Sequence, residues 1–202
     1  MQTFKFKGSR RYVHGTDMFN ALTTYARQQL GKDAWVRKVA FRQPTAHQLK
    51  IVDHPPENAQ FACEANLLSP TVSTSVWLVP TEIVVTQSYA YPEDELERFA
   101  IPANDQVTTL KVQQVEIDYP FTTIETAVAL TKMLNNKLAK PTQGKWLFGQ
   151  LELQRALPIT YNELTVRSVR VFTEKFSVNQ LIIDGEPIGT IRFIVGAGDV
   201  WN

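Results

Sequence analysis

Apolar residues recur at three- and four-residue steps through TTIETAVALTKMLNNKL (122–138). Ile124, Ala127, Val128, Leu130, Leu134 and Leu138 fall on one face, which predicts an amphipathic helix. Thr122 followed by Glu125 matches a capping box, in which a hydroxyl meets an orphan N–H and a carboxylate reaches back. Lys137 and Lys140 sit near the other end, where the helix dipole favours cations, and Pro141 stops the helix. The period then changes. WLFGQLELQRAL, ELTVRSVRVFTEKF, VNQLIID and PIGTIRFIV are short or alternating and rich in Val, Ile, Leu and Phe, so they predict strands. Asp184-Gly185 marks a tight turn between the last two.

The first half reads in a similar way. QTFKFKGSRRYV (2–13) alternates at Phe4 and Phe6 and predicts a strand. Phe19, Leu22, Ala26 and Leu30 predict a helix over 16–30, with Thr16 or Asp17 as its cap and Gly31 at its end. AWVRKVAFRQ, QLKIV, FACEANLL and TVSTSVWLV follow as strands, and DHPPEN (53–58) as a loop. EIVVTQSYAY predicts one more strand. PEDELERFAIPANDQ (92–106) changes character: an acidic run bracketed by Pro92 and Pro102. It reads as a connection between halves, compatible with a solvated surface helix. VTTLKVQQVEIDYPF (107–121) alternates again and leads into the second helix.

The two halves correspond. Each runs strand, Tyr (Tyr12, Tyr119), short loop, helix, then a Trp (Trp35, Trp146) opening a strand. Ala21, Leu22 and Leu30 match Ala129, Leu130 and Leu138 without a gap. FRQPTAHQLKIV resembles LQRALPITYNELTV. The organisation expected is an N-terminal repeat over 1–91, an acidic linker over 92–106 and a C-terminal repeat over 107–202. The other reading is a single larger α+β domain.

Composition narrows the function classes. The net charge of +1 argues against a nucleic-acid footprint. No apolar run reaches membrane-spanning length, so no membrane partner is expected. A single cysteine, Cys63, cannot close an intramolecular disulfide, which points to a reducing, cytoplasmic setting. Three histidines and one cysteine show no metal-ligand spacing, and no phosphate-loop, dinucleotide or serine-hydrolase motif occurs. No metal or cofactor is therefore expected.

A strand, a long central helix and an antiparallel meander, repeated in one chain, resembles the double hotdog fold. HGTDMFNAL (14–22) resembles the start of the central helix in 3-hydroxyacyl-ACP dehydratases, which reads apolar-apolar-apolar-Glu-Ala-Leu. The resemblance implies an α+β fold of two fused hotdog units, each an antiparallel sheet wrapped around a long helix. It implies a thioester-binding tunnel between the halves, with acyl-CoA or acyl carrier protein as partner and either hydrolysis or dehydration as chemistry. A homodimer of the fused chain is left open. Aligning Ala21-Leu22 with the family's Ala-Leu puts Asn20 where the dehydratases carry their catalytic Glu, and Val128 there in the second half. Asn does not exchange a proton near neutral pH and Val has none to exchange. His14 also sits closer to its helix than the dehydratase histidine does. The alternative reading is thus a hotdog-fold accessory protein that has lost the acid-base pair.

The candidate catalytic residues are His14, Asp17 and Asn20. Asp17 would activate water or attack the thioester carbonyl, as a carboxylate near this helix does in hotdog thioesterases. Asn20 would orient the carbonyl or the water, and the helix N-terminus at Gly15 and Thr16 would stabilise the oxyanion. The plainer reading makes Asp17 a first-turn acid that answers the dipole and His14 a loop residue. Glu125 is a general base or simply the capping-box acid. Tyr12 and Tyr119 donate to a thioester carbonyl or anchor strand ends. Arg10 and Arg11, with Lys5 and Lys7, meet the phosphates of CoA or phosphopantetheine, or else form a solvated strand edge. Cys63 alternates with apolar neighbours and reads as a buried strand residue.

Overall fold

The computed structural model describes residues 3–58, 60–103, 108–114, 117 and 120–196. The chain divides into two compact units, Met1–Tyr91 and Pro92–Val200.

The first unit begins with β1 (Phe6–Lys7) and α1 (Gly15–Leu30), followed by β2 (Trp35–Phe41), β3 (His47–Val52), β4 (Cys63–Leu68), β5 (Ser73–Val84) and β6 (Ser88–Tyr89). Its antiparallel sheet runs β3-β5-β4-β2, and β1 pairs in parallel with β6. The expected strand over 2–13 shrinks to two residues because the chain turns at Gly8, whose φ of +62° suits glycine. β5 is longer than the pattern suggests and passes through Pro80. Beyond Leu78 it pairs with β3 alone, which leaves room for a residue without an N–H. α1 buries Met18, Phe19, Ala21, Leu22 and Ala26 and packs on β2 and β4. Gly31 ends it with a φ of +99°.

The second unit holds α2 (Glu93–Phe99), β7 (Ile101–Pro102), β8 (Thr109–Gln113), α3 (Thr123–Leu138), β9 (Lys145–Leu153), β10 (Glu163–Phe172), β11 (Phe176–Ile183) and β12 (Glu186–Gly196). Its strands run β9-β12-β11-β10-β8-β7, all antiparallel. Within the stretch read as a connection, residues 92–103 hold a helix and a short strand. α2 buries Leu96, packs on α3 and ties Glu93 to Lys132 at 3.1 Å. Asp184 and Gly185 both have positive φ, as the turn between β11 and β12 requires. Bulges at Val169 of β10, Ile188 of β12 and Gly149 of β9 bend those strands.

α3 differs from the amphipathic helix that its pattern predicts. Eleven of its sixteen residues are buried, including Thr126, Thr131 and Asn135. The reason is enclosure: β8 to β12 pack on it from the sheet and α2 covers it from another side. Asn179 of β11 donates to Asn135 Oδ1 at 3.3 Å and to Ser177 Oγ at 3.1 Å, all three fully buried. The pair is only half satisfied, since Asn135 Nδ2 and Asn179 Oδ1 are buried with no hydrogen-bond partner among the described residues.

Candidate functional site

The start of α1 is built around a residue that the hydrophobic pattern directs outward. Lys7 is the second residue of β1 and is fully buried. The bonds from Phe6 N to Gln87 O (2.8 Å) and from Gly8 N to Tyr89 O (2.9 Å) hold β1 on β6. This pairing sets Lys7 opposite Tyr89. The Lys7 ammonium donates to Thr16 Oγ1 at 2.6 Å and forms an ion pair with Asp17 Oδ1 at 3.1 Å. It also lies 4.4 Å from the ring centroid of Tyr91 and 5.8 Å from that of Tyr89. A buried ammonium is tolerated only with such charge, hydroxyl and ring partners around it.

Asp17 is correspondingly engaged. The Tyr89 hydroxyl lies 2.9 and 3.1 Å from its two oxygens, and only 16% of the side chain is exposed. The carboxylate therefore joins β1, β6 and the first turn of α1. The ion pair with Lys7 and the Tyr89 hydroxyl both favour the ionised carboxylate.

His14, rather than Thr16 or Asp17, is the N-cap. Its Nδ1 lies 3.4 Å from Thr16 N and 2.8 Å from Thr16 Oγ1. A backbone N–H can only donate, so Nδ1 accepts and the neutral ring carries its proton on Nε2. Gly15 and Thr16 form the first turn, with Thr16 fully buried beneath Lys7. Asn20 is half-buried one turn further along α1. Tyr12 is buried, its ring centroid 6.3 Å from that of His14. Arg10 donates to the Lys7 carbonyl at 3.2 Å and lies 5.7 Å from the Tyr91 ring. Arg11 is exposed. Tyr119 lies outside the described residues.

The structure thus brings Lys7, Arg10, Tyr12, His14, Thr16 and Asp17 together, and corrects the reading of Lys7 as a solvated edge cation. Tyr89 and Tyr91 were not anticipated as site residues. Their only signal is the alternation in SYAY just before Pro92.

At the start of α3, Glu125 Oε2 accepts from both Thr122 N and Thr122 Oγ1 at 2.8 Å, so the capping-box role is filled. Thr123 Oγ1 donates to the Pro158 carbonyl at 2.5 Å. Burial pushes the Tyr161 phenol up, while a hydrogen bond with Thr126 acts the other way.

Among the described residues no cluster of three or more His, Cys, Asp or Glu side chains gathers to hold a metal, and no helix is long and apolar enough to cross a membrane. Cys63 is a free, buried thiol on β4, and burial pushes its pKa up. Native protein is expected to resist thiol reagents at pH 8, with one equivalent reacting in denaturant. Fast native labelling, read by intact mass, would contradict the buried placement.

No family model matches the chain, and no curated protein matches it. Solved structures do. The erythromycin dehydratase shows 10% identity and a TM-score of 0.44, covering 96% of this chain and 83% of its own. A putative thioesterase II from Thermobifida fusca YX shows 10% identity and a TM-score of 0.46, covering 96% and 95%. The dehydratase domain of the polyketide PpsC from Mycobacterium tuberculosis shows 10% identity and a TM-score of 0.47, covering 93% and 85%.

Proposed function

We propose that the chain is a divergent double-hotdog protein that binds an acyl thioester, presented on CoA or a carrier protein, at the start of α1. The sequence resemblance around HGTDMFNAL supplies the ligand class. The positive end of the α1 dipole favours a carbonyl oxygen, although His14 already takes the N–H groups of Thr16, Asp17 and Met18, and Arg10 and Arg11 lie just ahead of it for phosphate. The observation that carries the reading is Asp17 held between the Lys7 ammonium and the Tyr89 hydroxyl. That carboxylate builds the rim of the site instead of standing ready as a base. With Asn20 and Val128 at the positions where the dehydratases carry Glu, the arrangement favours binding over turnover. Hydrolysis through Asp17 is the second reading, favoured by its place in the first turn of a long helix.

A panel of acyl-CoA and acyl-pantetheine thioesters, followed by calorimetry and by thiol release, tests both. The expected result is saturable binding without turnover, weakened about tenfold in His14→Ala, or about 1.4 kcal/mol. Thiol release that disappears in Asp17→Asn, with binding retained, establishes the enzymatic reading in its place. Absence of binding by every thioester overturns the proposal.

A further inference from the structure

The open face of the second unit's sheet carries a cluster of cations with no ion-pair partner among the described residues. Along β11, Ser177 and Asn179 are fully buried toward α3, so Phe176, Val178 and Gln180 alternate onto the opposite face. The register then lines up two rows on that face. Arg170 and Arg192 both stand opposite Val178, one from each neighbouring strand. Phe172 and Ile194 both stand opposite Phe176. Arg167 adds a third cation opposite Gln180, to whose side chain it donates. The three arginines are exposed, and so are Phe172 (41%) and Ile194 (39%).

The cations are already ordered. The Arg192 guanidinium lies 4.3 Å from the Phe176 ring and that of Arg170 lies 5.6 Å from the Phe172 ring, with the two rings 4.6 Å apart. Stacking on a ring leaves the guanidinium edge, with its N–H fork, free of intramolecular ion pairing and set for a carboxylate. Rotamer entropy that an interface would otherwise have to absorb is partly spent beforehand. Arginine beside exposed aromatics is also the composition enriched at protein interfaces.

We propose that this face docks an acidic segment of another protein. Two rows of unlike character define the ligand. Arg170 and Arg192 sit two strand spacings apart, about 10 Å between Cα atoms. Carboxylates seven residues apart on a helix are separated by about the same distance. The Phe172–Phe176–Ile194 row beside them takes an apolar residue from the same segment. A second copy of this chain fits less well, although α2 carries exposed Asp94 and Glu97. α2 packs on α3, which covers the other face of the sheet. A copy-to-copy contact would therefore run head to tail, which gives a ring or a filament and not a two-fold dimer.

The inference stands apart from the thioester reading and is tested without any thioester. A fluorescently labelled helical peptide, with Glu at two positions seven apart and leucines between them, is titrated with the full chain and followed by anisotropy. Saturable binding is expected, weakening as salt rises. It should fall at least about tenfold in the Arg170→Glu/Arg192→Glu double variant and partly in the Arg170→Lys/Arg192→Lys variant, which keeps charge and loses the fork. All four substitutions are on the surface, so thermal melting should stay near that of the parent. Equal binding of the Gln-for-Glu peptide, or binding unchanged by charge reversal, overturns the proposal. So does capture of duplex oligonucleotide or phosphatidylserine vesicles with no capture of the peptide, or self-association abolished by Asp94→Lys/Glu97→Lys.

Discussion

Replacing Lys7 by Met is expected to cost about 3–5 kcal/mol of folding stability, the range seen when one partner of a buried ion pair is removed. The side chain is fully buried and bonded to both Thr16 and Asp17, so its loss strands a largely buried carboxylate. Tyr89 still donates to that carboxylate, which bounds the loss. At roughly 2–4 °C per kcal/mol for a chain of this size, the melting temperature should fall by about 10 °C. Urea unfolding measures the free energy directly. Adding Asp17→Asn to Lys7→Met should recover part of the loss, because the uncompensated charge is then gone. A loss under about 1 kcal/mol, the range of exposed pairs, would show that solvent already compensates Asp17. The same pair of variants bears on function: binding lost in step with stability marks Lys7 as a scaffold residue.

Leu134→Ala is expected to cost about 2–5 kcal/mol, the sum of lost transfer free energy and an unfilled cavity. Leu134 is fully buried on α3, which is enclosed by β8 to β12 and by α2, so surrounding groups have little freedom to collapse into the space. Lys137→Ala, three residues on and exposed, should change stability by less than about 0.5 kcal/mol. The contrast separates a buried rod from a helix lying on a surface. Similar small losses at both positions, measured by denaturant titration, would refute the enclosed placement of α3.

Much of this molecule was legible in the order of its residues. The periods of 16–30 and 122–138 placed both long helices nearly to the residue, and Thr122 with Glu125 placed the cap of the second. Asp184-Gly185 located a hairpin, because few residue pairs accept positive φ at two successive positions. The candidate site was only half visible. His14, Thr16 and Asp17 were identified as a group, since they flank a predicted helix start. Lys7 was read as a phosphate contact or a solvated edge, and Tyr89 and Tyr91 were passed over, because their partners are not close neighbours along the chain.

Local spacing determined where the chain is helical, where it is extended and where it turns, since those choices rest on steric and hydrogen-bonding preferences within a few residues. Tertiary structure decided which sides of those elements are covered. It turned Lys7 inward by pairing β1 with β6 after a two-residue strand. It also buried polar residues of α3 that its amphipathic pattern left to water. Whether a lysine is a solvated edge or the anchor of a carboxylate depends on partners brought in from 10 to 84 residues away, Asp17 and Tyr91 here, and no pattern along the chain encodes that meeting.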